Sequence, residues 1–352
     1  MNIKSIFFVL GCLLFFLVAC EKEGTVFISP FSKDVPVMGE TFQVQITSNK
    51  AWTASAKQQW ISVSPTSGLG DAVVNVTVEA SNSTTSNIAE VVFAISDKSA
   101  KLVIKRMGLN ATFKVSSAKK VKFSKGNLQY QAATHTWRFA ENQYDVIGND
   151  NSNVSSLYTG WIDLFGWGTS GYNDKYPWMT SEMGGDYAEG EKDIAGTQYD
   201  WGVYNKISNG GNQIGLWRTL TKDEWNYLVN KRADAADKYS HATVDSVCGL
   251  ILLPDEWLLP EGLIFVPQSH NIYTQVEWIE MEKYGAIFLP AAGYRYRTGV
   301  YGTGFTGNYS SSSYSSSEMG GCYLFNFYGS TLTPTFSSKR YYGLSVRLVQ
   351  DL

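Results

Sequence analysis

The chain has 352 residues, of which 17% are charged and 14% aromatic, and its formal net charge is −3 at pH 7. At roughly 150 residues per domain this length predicts about two domains, and the low charge excludes a disordered chain, since disordered chains are charge-rich and poor in aromatic residues. The slightly acidic balance argues against a nucleic-acid partner, which requires a basic face to displace counterions. Abundant Tyr, Trp, Gly and Ser instead favour a β-rich, loop-rich extracellular protein.

The first twenty residues indicate a secretion signal. Lys4 precedes an apolar run from Ile6 to Ala19, which is shorter than the roughly 20 residues needed to cross a bilayer and fits a signal peptide. The segment Leu17-Val18-Ala19-Cys20 resembles a bacterial lipobox. That resemblance implies that residues 1–19 are removed, that the Cys20 thiol is acylated, and that residues 20–24 form a lipid-anchored tether. The alternative is an ordinary signal peptide that ends near a cysteine.

The residues after Cys20 predict the location of the protein. They read Glu21-Lys22-Glu23, with no Asp directly after the cysteine. Such acidic residues resemble the surface-export signal of Bacteroidetes lipoproteins. The resemblance implies an outer-membrane protein that is anchored through lipid and exposed on the cell surface.

Two cysteines, Cys248 and Cys322, remain in the mature chain, since Cys12 lies in the signal peptide. An oxidising compartment permits a disulfide between them. Sequence spacing cannot establish that their Cα atoms come within disulfide reach, and we favour two buried thiols over a disulfide.

Residues 25–108 predict a small all-β domain. The segments Phe42–Ile46 and Val74–Val78 alternate apolar and polar residues, as a half-buried strand does, and Leu102–Ile104 repeats the pattern more weakly. Turn-forming residues separate these runs. Short strands at this spacing are typical of a β-sandwich.

The same region resembles a BACON domain, an immunoglobulin-like module. The matching residues are Trp52, the segment from Trp60 to Pro65, and Ser67-Gly68-Leu69-Gly70. The family's name proposes carbohydrate binding, and Trp52 and Trp60 are the candidates for stacking on sugar rings. We favour the alternative that both tryptophans fill the core and that the domain is a spacer.

Residues 109–352 predict a larger domain that combines helices with short strands. Two capping boxes, Thr221–Glu224 and Thr274–Glu277, mark the starts of two helices. Trp225, Leu228 and Val229 fall on one face of the first helix. The second helix has two apolar stripes, one with Val276 and Ile279 and one with Trp278 and Met281.

A series of motifs in this region resembles the C-type-lectin-like domains of surface proteins from gut bacteria. The motifs include Trp217-Arg218-Thr219-Leu220, the segments Gly249–Asp255 and Ile287–Arg295, and the closing Gly343–Val349. Such domains are similar in fold to formylglycine-generating enzymes and to the variable proteins of diversity-generating retroelements. The fold class expected for the chain is therefore an all-β immunoglobulin-like sandwich followed by an α+β C-type-lectin-like domain.

No motif selects a catalytic or metal site. His135, His241 and His270 lack metal-ligand spacing, and neither a GxSxG elbow nor a P-loop occurs. The acidic residues between Glu182 and Asp193 do not follow an EF-hand order. We therefore expect no enzyme activity, no cofactor and no metal.

The segment Tyr294–Ser317 is rich in Tyr, Ser, Gly and Arg, a composition typical of binding surfaces. The alternative is a flexible linker. The predicted ligand-binding residues are Arg297, Tyr301, Phe305, Asn308, Tyr309, Ser311, Ser313, Tyr314, Asn326 and Tyr328, with Arg295 as a further donor or a structural residue. In retroelement variable proteins, positions in this part of the fold are diversified by adenine-directed mutation, and seven of these residues, from Asn308 to Tyr328, match that placement.

The sequence thus predicts a surface lipoprotein that binds a protein or glycan of a host or bacterial cell, as a diversified adhesin or a fixed one. One alternative is a glycan-capture component of a polysaccharide-utilisation system, which would use Trp52 and Trp60. Another is a structural subunit of a surface appendage.

Overall fold

A computed structural model describes residues 23–352 except 36–38, 82, 84–85, 109–110, 189, 258 and 317–320. The signal peptide, Cys20 and the two residues after it lie outside the described residues, as does Glu189. The chain divides into two compact units, residues 1–108 and residues 109–352. Most of the regular structure in both units is β-strand.

The first unit is built from nine short strands in its described part. Their bounds are β1 Val26–Ser29, β2 Ser32–Val35, β3 Glu40–Ser48, β4 Ala51–Ala56, β5 Ile61–Ser64, β6 Ser67–Leu69, β7 Ala72–Val78, β8 Asn87–Ala94 and β9 Ser99–Arg106.

These strands form two sheets around one core. One sheet has the order β1-β3-β7-β5 and the other has the order β2-β9-β8-β4-β6. Val44, Val74 and Val76 from the first sheet and Val91 and Leu102 from the second belong to the same buried cluster. Because inward residues of β3, β7 and β9, which are buried or half-buried, alternate with more exposed ones, the predicted alternation is confirmed, and the unit is an all-β sandwich.

The second unit contains further strands and three α-helices in its described part, together with short 3-10 turns. The strands are β10 Phe113–Lys114, β11 Lys120–Phe123, β12 Leu128–Gln131, β13 Thr136–Phe139, β14 Arg218–Thr219, β15 Tyr239–Val244, β16 Val247–Leu252, β17 His270–Tyr273, β18 Ile287–Pro290, β19 Tyr294–Tyr296, β20 Gly299–Tyr301, β21 Thr306–Ser315, β22 Gly321–Tyr328, β23 Thr331–Lys339 and β24 Leu348–Asp351. The helices are α1 Trp201–Tyr204, α2 Lys222–Asn230 and α3 Gln275–Lys283.

Two sheets frame the core next to the site described below. The order β17-β15-β16-β18 gives one sheet, and β21-β22-β23 gives a long antiparallel sheet. The first and last parts of the unit also pair, since β11 runs antiparallel to β24. Side chains from both sheets and from β11 and β24 meet in one cluster, which includes Leu250, Leu289, Tyr309, Phe325 and Val349.

Both predicted helices begin at their predicted capping boxes. The Thr221 hydroxyl accepts from Glu224 N at 3.1 Å, and the Glu224 carboxylate accepts from Thr221 N at 2.9 Å. The same reciprocal pair forms between Thr274 and Glu277. These bonds satisfy amide groups that would otherwise lack partners in the first helical turn.

Packing distinguishes the faces of these helices. Trp225, Leu228 and Val229 of α2 are buried in the core, as predicted. In α3, Trp278 is buried whereas Val276 is 72% exposed. Only one of the two sequence-predicted stripes of α3 therefore faces the core.

Candidate functional site

Five tyrosine rings gather at one place on the surface of the second unit, and we call them the tyrosine cluster: Tyr294, Tyr296, Tyr301, Tyr341 and Tyr342. The centroids of Tyr294 and Tyr301 lie 5.7 Å apart, and those of Tyr341 and Tyr342 lie 5.0 Å apart. Tyr342 also contacts Tyr294 at 5.5 Å and Tyr296 at 5.4 Å, so that it links the two pairs. Tyr301 is exposed and the other four rings are half-buried. The cluster therefore presents several aromatic surfaces and phenol groups to solvent.

Three of the five tyrosines, Tyr294, Tyr296 and Tyr301, lie on the short hairpin β19–β20, and the middle residue of β19 is a buried arginine. Arg295 is 1% exposed and donates from Nη1 and Nη2 to the carbonyl of Met179 at 3.2 and 3.1 Å and from Nη1 to that of Arg297 at 2.9 Å. Burial lowers the pKa of the Arg295 guanidinium to about 10. Of the two roles predicted for Arg295, the structural one is therefore correct. Its guanidinium connects the hairpin to the segment that contains Met179 and is not available to a ligand.

An ion pair closes one side of the cluster. Arg297 Nε donates to Glu182, and the Tyr296 hydroxyl donates to the same carboxylate at 3.1 Å. The hydrogen bond from Arg297 lowers the pKa of Glu182, and burial raises the pKa of Tyr296. At neutral pH this edge thus carries a carboxylate, a guanidinium and a protonated phenol.

A cavity of about 610 Å³ adjoins the tyrosine cluster, and we call it the tyrosine-side cavity. Its size falls in the range of roughly 300–1,000 Å³ that is usual for small-molecule sites. It is lined by Tyr294, Thr306, Asn308, Leu324, Asn326, Tyr328, Phe336, Ser337, Ser338, Lys339, Tyr342 and Leu344.

Two asparagines of this lining form a fixed pair. Asn308 Nδ2 donates to the Gly293 carbonyl at 3.2 Å and to Thr306 Oγ1 at 3.3 Å. Asn326 Nδ2 donates to Asn308 Oδ1 at 2.9 Å. The amide nitrogens are thereby committed to protein partners, which orients both side chains.

The structure places part of the sequence-predicted site on the surface. Arg297, Tyr301, Phe305 and Tyr328 are exposed, and the exposed fractions of Phe305 and Tyr328 are 73% and 62%. Asn326 is half-buried and lines the tyrosine-side cavity. These residues are available for contact with a ligand.

Tyr314 is also half-buried, but it lies apart from this cavity. Its ring stacks 5.2 Å from the Arg340 guanidinium, and its amide donates to Asp193 Oδ1 at 2.8 Å. Tyr314 packs against the core cluster that contains Trp167.

Tyr309 lies in the core and is not available to a ligand as predicted, whereas Asn308 is buried but lines the tyrosine-side cavity. Tyr309 is fully buried, its hydroxyl donates to the Pro290 carbonyl at 2.9 Å, and it accepts from Asn127 Nδ2 at 3.2 Å. Burial raises its pKa strongly. Asn308 is 8% exposed and serves to hold Asn326.

Ser311 and Ser313 are buried as well, contrary to the prediction. The Ser311 hydroxyl donates to the Tyr323 carbonyl at 2.7 Å, and the Ser313 hydroxyl accepts from Lys222 N at 3.2 Å, at the start of α2. The segment that contains them is β21, a ten-residue strand with nearly every residue buried. These two serine hydroxyls are accommodated in the interior because each bonds to a backbone group of another segment.

Trp52 is a core residue. It is 2% exposed, its Nε1 donates to the Gly70 carbonyl at 2.9 Å, and Gly68 lies directly against its ring. It is therefore not available to stack on a sugar. Trp60 is half-buried, and the Arg106 guanidinium lies 4.0 Å from the centroid of its ring. One face of Trp60 is thus covered by protein.

Sequence reasoning missed several residues of the tyrosine cluster and of the cavity lining. Tyr294 and Tyr296 lie within the predicted binding segment, residues 294–317. Tyr341, Tyr342 and Phe336 lie outside it and were not predicted as binding residues. The adjacent pair Tyr341-Tyr342 is a visible signal, since two neighbouring tyrosines precede the closing motif that begins at Gly343. What the sequence lacks is the pairing of Gly343 with Arg295, which brings the two tyrosine segments together.

Other chemistry finds little support in the described residues. No group of three or more His, Cys, Asp or Glu side chains is placed there to hold a metal ion. Cys248 and Cys322 are free thiols, and burial raises the pKa of Cys322 to about 12. None of the helices described for this chain has the length and apolar character required to cross a membrane.

The acidic residues between Glu182 and Asp193 have separate partners. Glu182 binds Arg297, Asp186 accepts from Ser181, and Asp193 accepts from Tyr314 N.

Comparisons with known proteins yield short, weak similarities. No family model and no curated protein sequence matches the chain. A Bacteroides ovatus GH5 xyloglucanase in complex with a XXXG heptasaccharide is 23% identical, over 24% of this chain and 19% of its own, with a TM-score of 0.23. Domains 4 and 5 of the S-layer protein SbsC are 16% identical, over 24% of this chain and 51% of their own, with a TM-score of 0.19. The chain thus spans less than a fifth of the xyloglucanase and about half of the SbsC fragment. Similarities of this size carry no argument about function.

Proposed function

We propose that the chain binds a protein or glycan ligand without covalent chemistry, at the tyrosine cluster and the tyrosine-side cavity. The observation that supports this proposal is the gathering of five partly accessible tyrosine rings beside a cavity of about 610 Å³. Tyrosine offers a large amphipathic contact with few rotatable bonds, so that little conformational entropy is lost on binding. Loop or hairpin residues on a rigid scaffold are the usual place for such contacts.

The chemistry of the surface suits reversible binding. Burial and neighbouring tyrosines raise the pKa of Tyr342, which keeps its phenol protonated at neutral pH. A protonated phenol both donates and accepts hydrogen bonds. The Arg297–Glu182 pair adds one charge of each sign at the edge. We assign no catalytic role to any of these residues.

The proposal includes the location and the fold that the sequence motifs imply. Acylation of Cys20 would anchor the chain in the outer membrane with both units on the cell surface, and the BACON-like unit would be a spacer. The second unit would have an α+β C-type-lectin-like arrangement, which the two capped helices α2 and α3 support. Labelling cells with radioactive palmitate, with Cys20→Ser as control, tests the anchor.

Diversification of the binding surface is a separate proposal with a narrower basis. Of the seven positions matched to retroelement variable proteins, Tyr328 is exposed and Tyr314 and Asn326 are half-buried. The other four have core contacts, so that substitutions there would alter packing first. A nearby reverse-transcriptase gene and an imperfect repeat of the 3′ coding end are expected in the genome if the proposal holds.

A binding screen tests the main proposal. The protein is applied to host and bacterial cells and to a glycan array, with Tyr301→Ala and Tyr342→Ala as variants. Phe31→Ala is the matched control, because Phe31 is an exposed aromatic residue of the first unit. We expect the two tyrosine variants to lose binding and the control to retain it. Binding that survives both tyrosine substitutions would place the ligand elsewhere.

A further inference from the structure

The first described residues of the chain are held at one end of the first unit. Asn49 Nδ2 donates to the Glu23 carbonyl at 2.9 Å, and Asn49 Oδ1 accepts from Thr25 N at 2.8 Å. The Ser48 hydroxyl donates to the Thr25 carbonyl at 2.9 Å. Lys98 Nζ pairs with the Glu23 carboxylate at 2.6 Å. Glu23 is therefore fixed against two turns, the one that follows β3 and the one that precedes β9.

The turn that precedes β7 belongs to the same end of the unit. Gly70 N donates to the Lys50 carbonyl at 3.3 Å, and the Asp71 carboxylate accepts from Ser48 N at 2.9 Å. These contacts join four short segments into one surface. We call this surface the entry end, and its residues are 23–25, 48–50, 69–71 and 95–98.

Two large apolar side chains are exposed at or beside the entry end. Leu69 is 79% exposed and pairs with Ala51, the residue that follows the Ser48–Lys50 turn. Phe27 is 65% exposed and pairs with Thr47, the residue that precedes that turn. Single exposed apolar residues are normal on a surface that faces water. The meaning of these two therefore depends on what lies next to the entry end.

The proposed lipid anchor limits the distance between the entry end and a membrane. Cys20 and Glu23 are three positions apart. An extended chain covers at most about 3.6 Å per residue, so that their Cα atoms lie within about 11 Å of each other. A tether this short gives the attached unit an effective concentration of millimolar order at the lipid surface. A contact too weak to recruit a free protein is then occupied in the anchored one.

The charges of the entry end do not favour an electrostatic contact with lipid. Its charged residues are Lys50, Lys98, Glu23, Asp71 and Asp97, and Lys98 is paired with Glu23. Recognition of anionic lipids instead uses clusters of roughly four to eight Lys or Arg residues. Apolar contact remains as the source of attraction. Phe and Leu are among the residues that proteins bury about 5–10 Å deep at the boundary between headgroups and acyl chains.

From these observations we propose that the first unit docks on the phospholipid surface that carries its anchor, through the entry end, with Leu69 and Phe27 inserted among the headgroups. The anchor supplies the attachment, and the two side chains supply the orientation. Because β4 and β9 begin next to the entry end and lead away from it, docking directs these strands away from the membrane. This inference rests on the proposed lipid anchor and adds a membrane contact to the proposed spacer.

The test uses the full acylated chain in vesicles of phosphatidylethanolamine and phosphatidylglycerol, with a fluorescent label on one introduced cysteine. Cys248→Ser removes the half-buried thiol, and Cys322 is fully buried. Ser96→Cys places the label at the entry end, whereas Gln58→Cys places it in the turn after β4, at the opposite end, and both positions are exposed. A quencher attached to lipid headgroups quenches the label at position 96 roughly threefold more strongly than that at position 58, because the six residues of β4 separate the two ends by about 20 Å.

The contribution of the two apolar side chains is measured with the label at position 96. Phe27→Asn combined with Leu69→Asn lowers quenching roughly threefold, because neutral polar side chains replace the groups that enter the lipid. Ile88→Asn is the matched control and leaves quenching unchanged. Ile88 is 67% exposed, and it lies six positions along β8 from Ala94, next to the entry end, which is about 20 Å.

Because the substituted side chains are largely exposed, the thermal midpoints of the variants stay close to that of the parent chain. Equal quenching at positions 96 and 58 overturns the inference, as does quenching at position 96 that survives the double substitution or disappears in high salt. Shielding of the label at position 96 only when other cell-envelope proteins are added also overturns it, since a protein then covers the entry end. If palmitate labels Cys20 but one of these results is obtained, the inference fails while the anchor stands. If palmitate does not label Cys20, both fail.

Discussion

Tyr309 is a structural tyrosine rather than a ligand-binding one. The substitution Tyr309→Phe tests this role most directly. The ring stays in the core beside Trp225 and Phe327, at centroid distances of 6.4 and 6.2 Å. Only the hydroxyl is lost. That hydroxyl donates to the Pro290 carbonyl and accepts from Asn127 Nδ2.

The size of the expected loss in stability follows from the hydrogen bonds that each partner of the Tyr309 hydroxyl keeps. The Pro290 carbonyl still accepts from Ala292 N at 2.9 Å, so that the loss there is an ordinary hydrogen bond of about 1 kcal/mol. Asn127 is 1% exposed, and its Nδ2 loses a buried acceptor, which costs about 1–3 kcal/mol. The free energy of unfolding of the second unit is expected to fall by about 2–4 kcal/mol.

Urea denaturation followed by tryptophan fluorescence measures this loss, since Trp225 lies next to the substituted ring. With a denaturant slope of about 2–3 kcal/mol per M, the midpoint shifts by roughly 1 M. Tyr301→Phe is the matched control, because Tyr301 is 49% exposed, and its midpoint stays unchanged. Under conditions in which the variant is fully folded, Tyr309→Phe retains ligand binding. The reasoning is refuted if Tyr309→Phe unfolds at the parent midpoint, or if it loses binding while its stability is unchanged.

Three further outcomes are expected. Gly68→Ala places a Cβ 2.5 Å from the Trp52 ring and destabilises the first unit by about 1–3 kcal/mol in thermal unfolding; an unchanged midpoint would contradict the locked position of Trp52. Burial raises the pKa of Asp200 to about 6 from 3.8, so that the folded state binds more protons than the unfolded one between these values; its contribution to unfolding free energy therefore falls as pH rises from about 4 to about 6. Denaturation across that range should show a smaller fall in Asp200→Asn than in the parent, and equal slopes would refute the shift. A thiol reagent should modify half-buried Cys248 in the folded protein and buried Cys322 only in denaturant, as read by mass spectrometry; equal rates would contradict their different burial.

The sequence by itself determined the features that depend on nearby residues. The capping boxes at Thr221 and Thr274 identified the starts of α2 and α3, because such a box forms between residues three positions apart. The alternation in Phe42–Ile46 identified β3, because successive side chains of a strand face opposite sides. In each case the decisive contact lies within a few residues.

The tertiary structure alone decided which residues of the tyrosine- and serine-rich segment meet solvent. The composition of Tyr294–Ser317 predicted a binding loop. Within it, however, Thr306–Ser315 is strand β21, and most residues of that strand are buried. A strand covered on both faces buries its Ser and Tyr side chains regardless of their polarity, and most buried hydroxyls in proteins find hydrogen-bond partners. Tyr309 and Ser311 have such partners within the core.

The surface that remained was likewise assembled by distant parts of the chain. Tyr342 reaches Tyr294 and Tyr296 because Gly343 pairs with Arg295, and Phe336 lines the cavity because β23 pairs with β22. No local pattern encodes these pairings, since they arise from sheet register over long separations. The sequence identified a unit rich in tyrosine, and packing selected the tyrosines that form its accessible face.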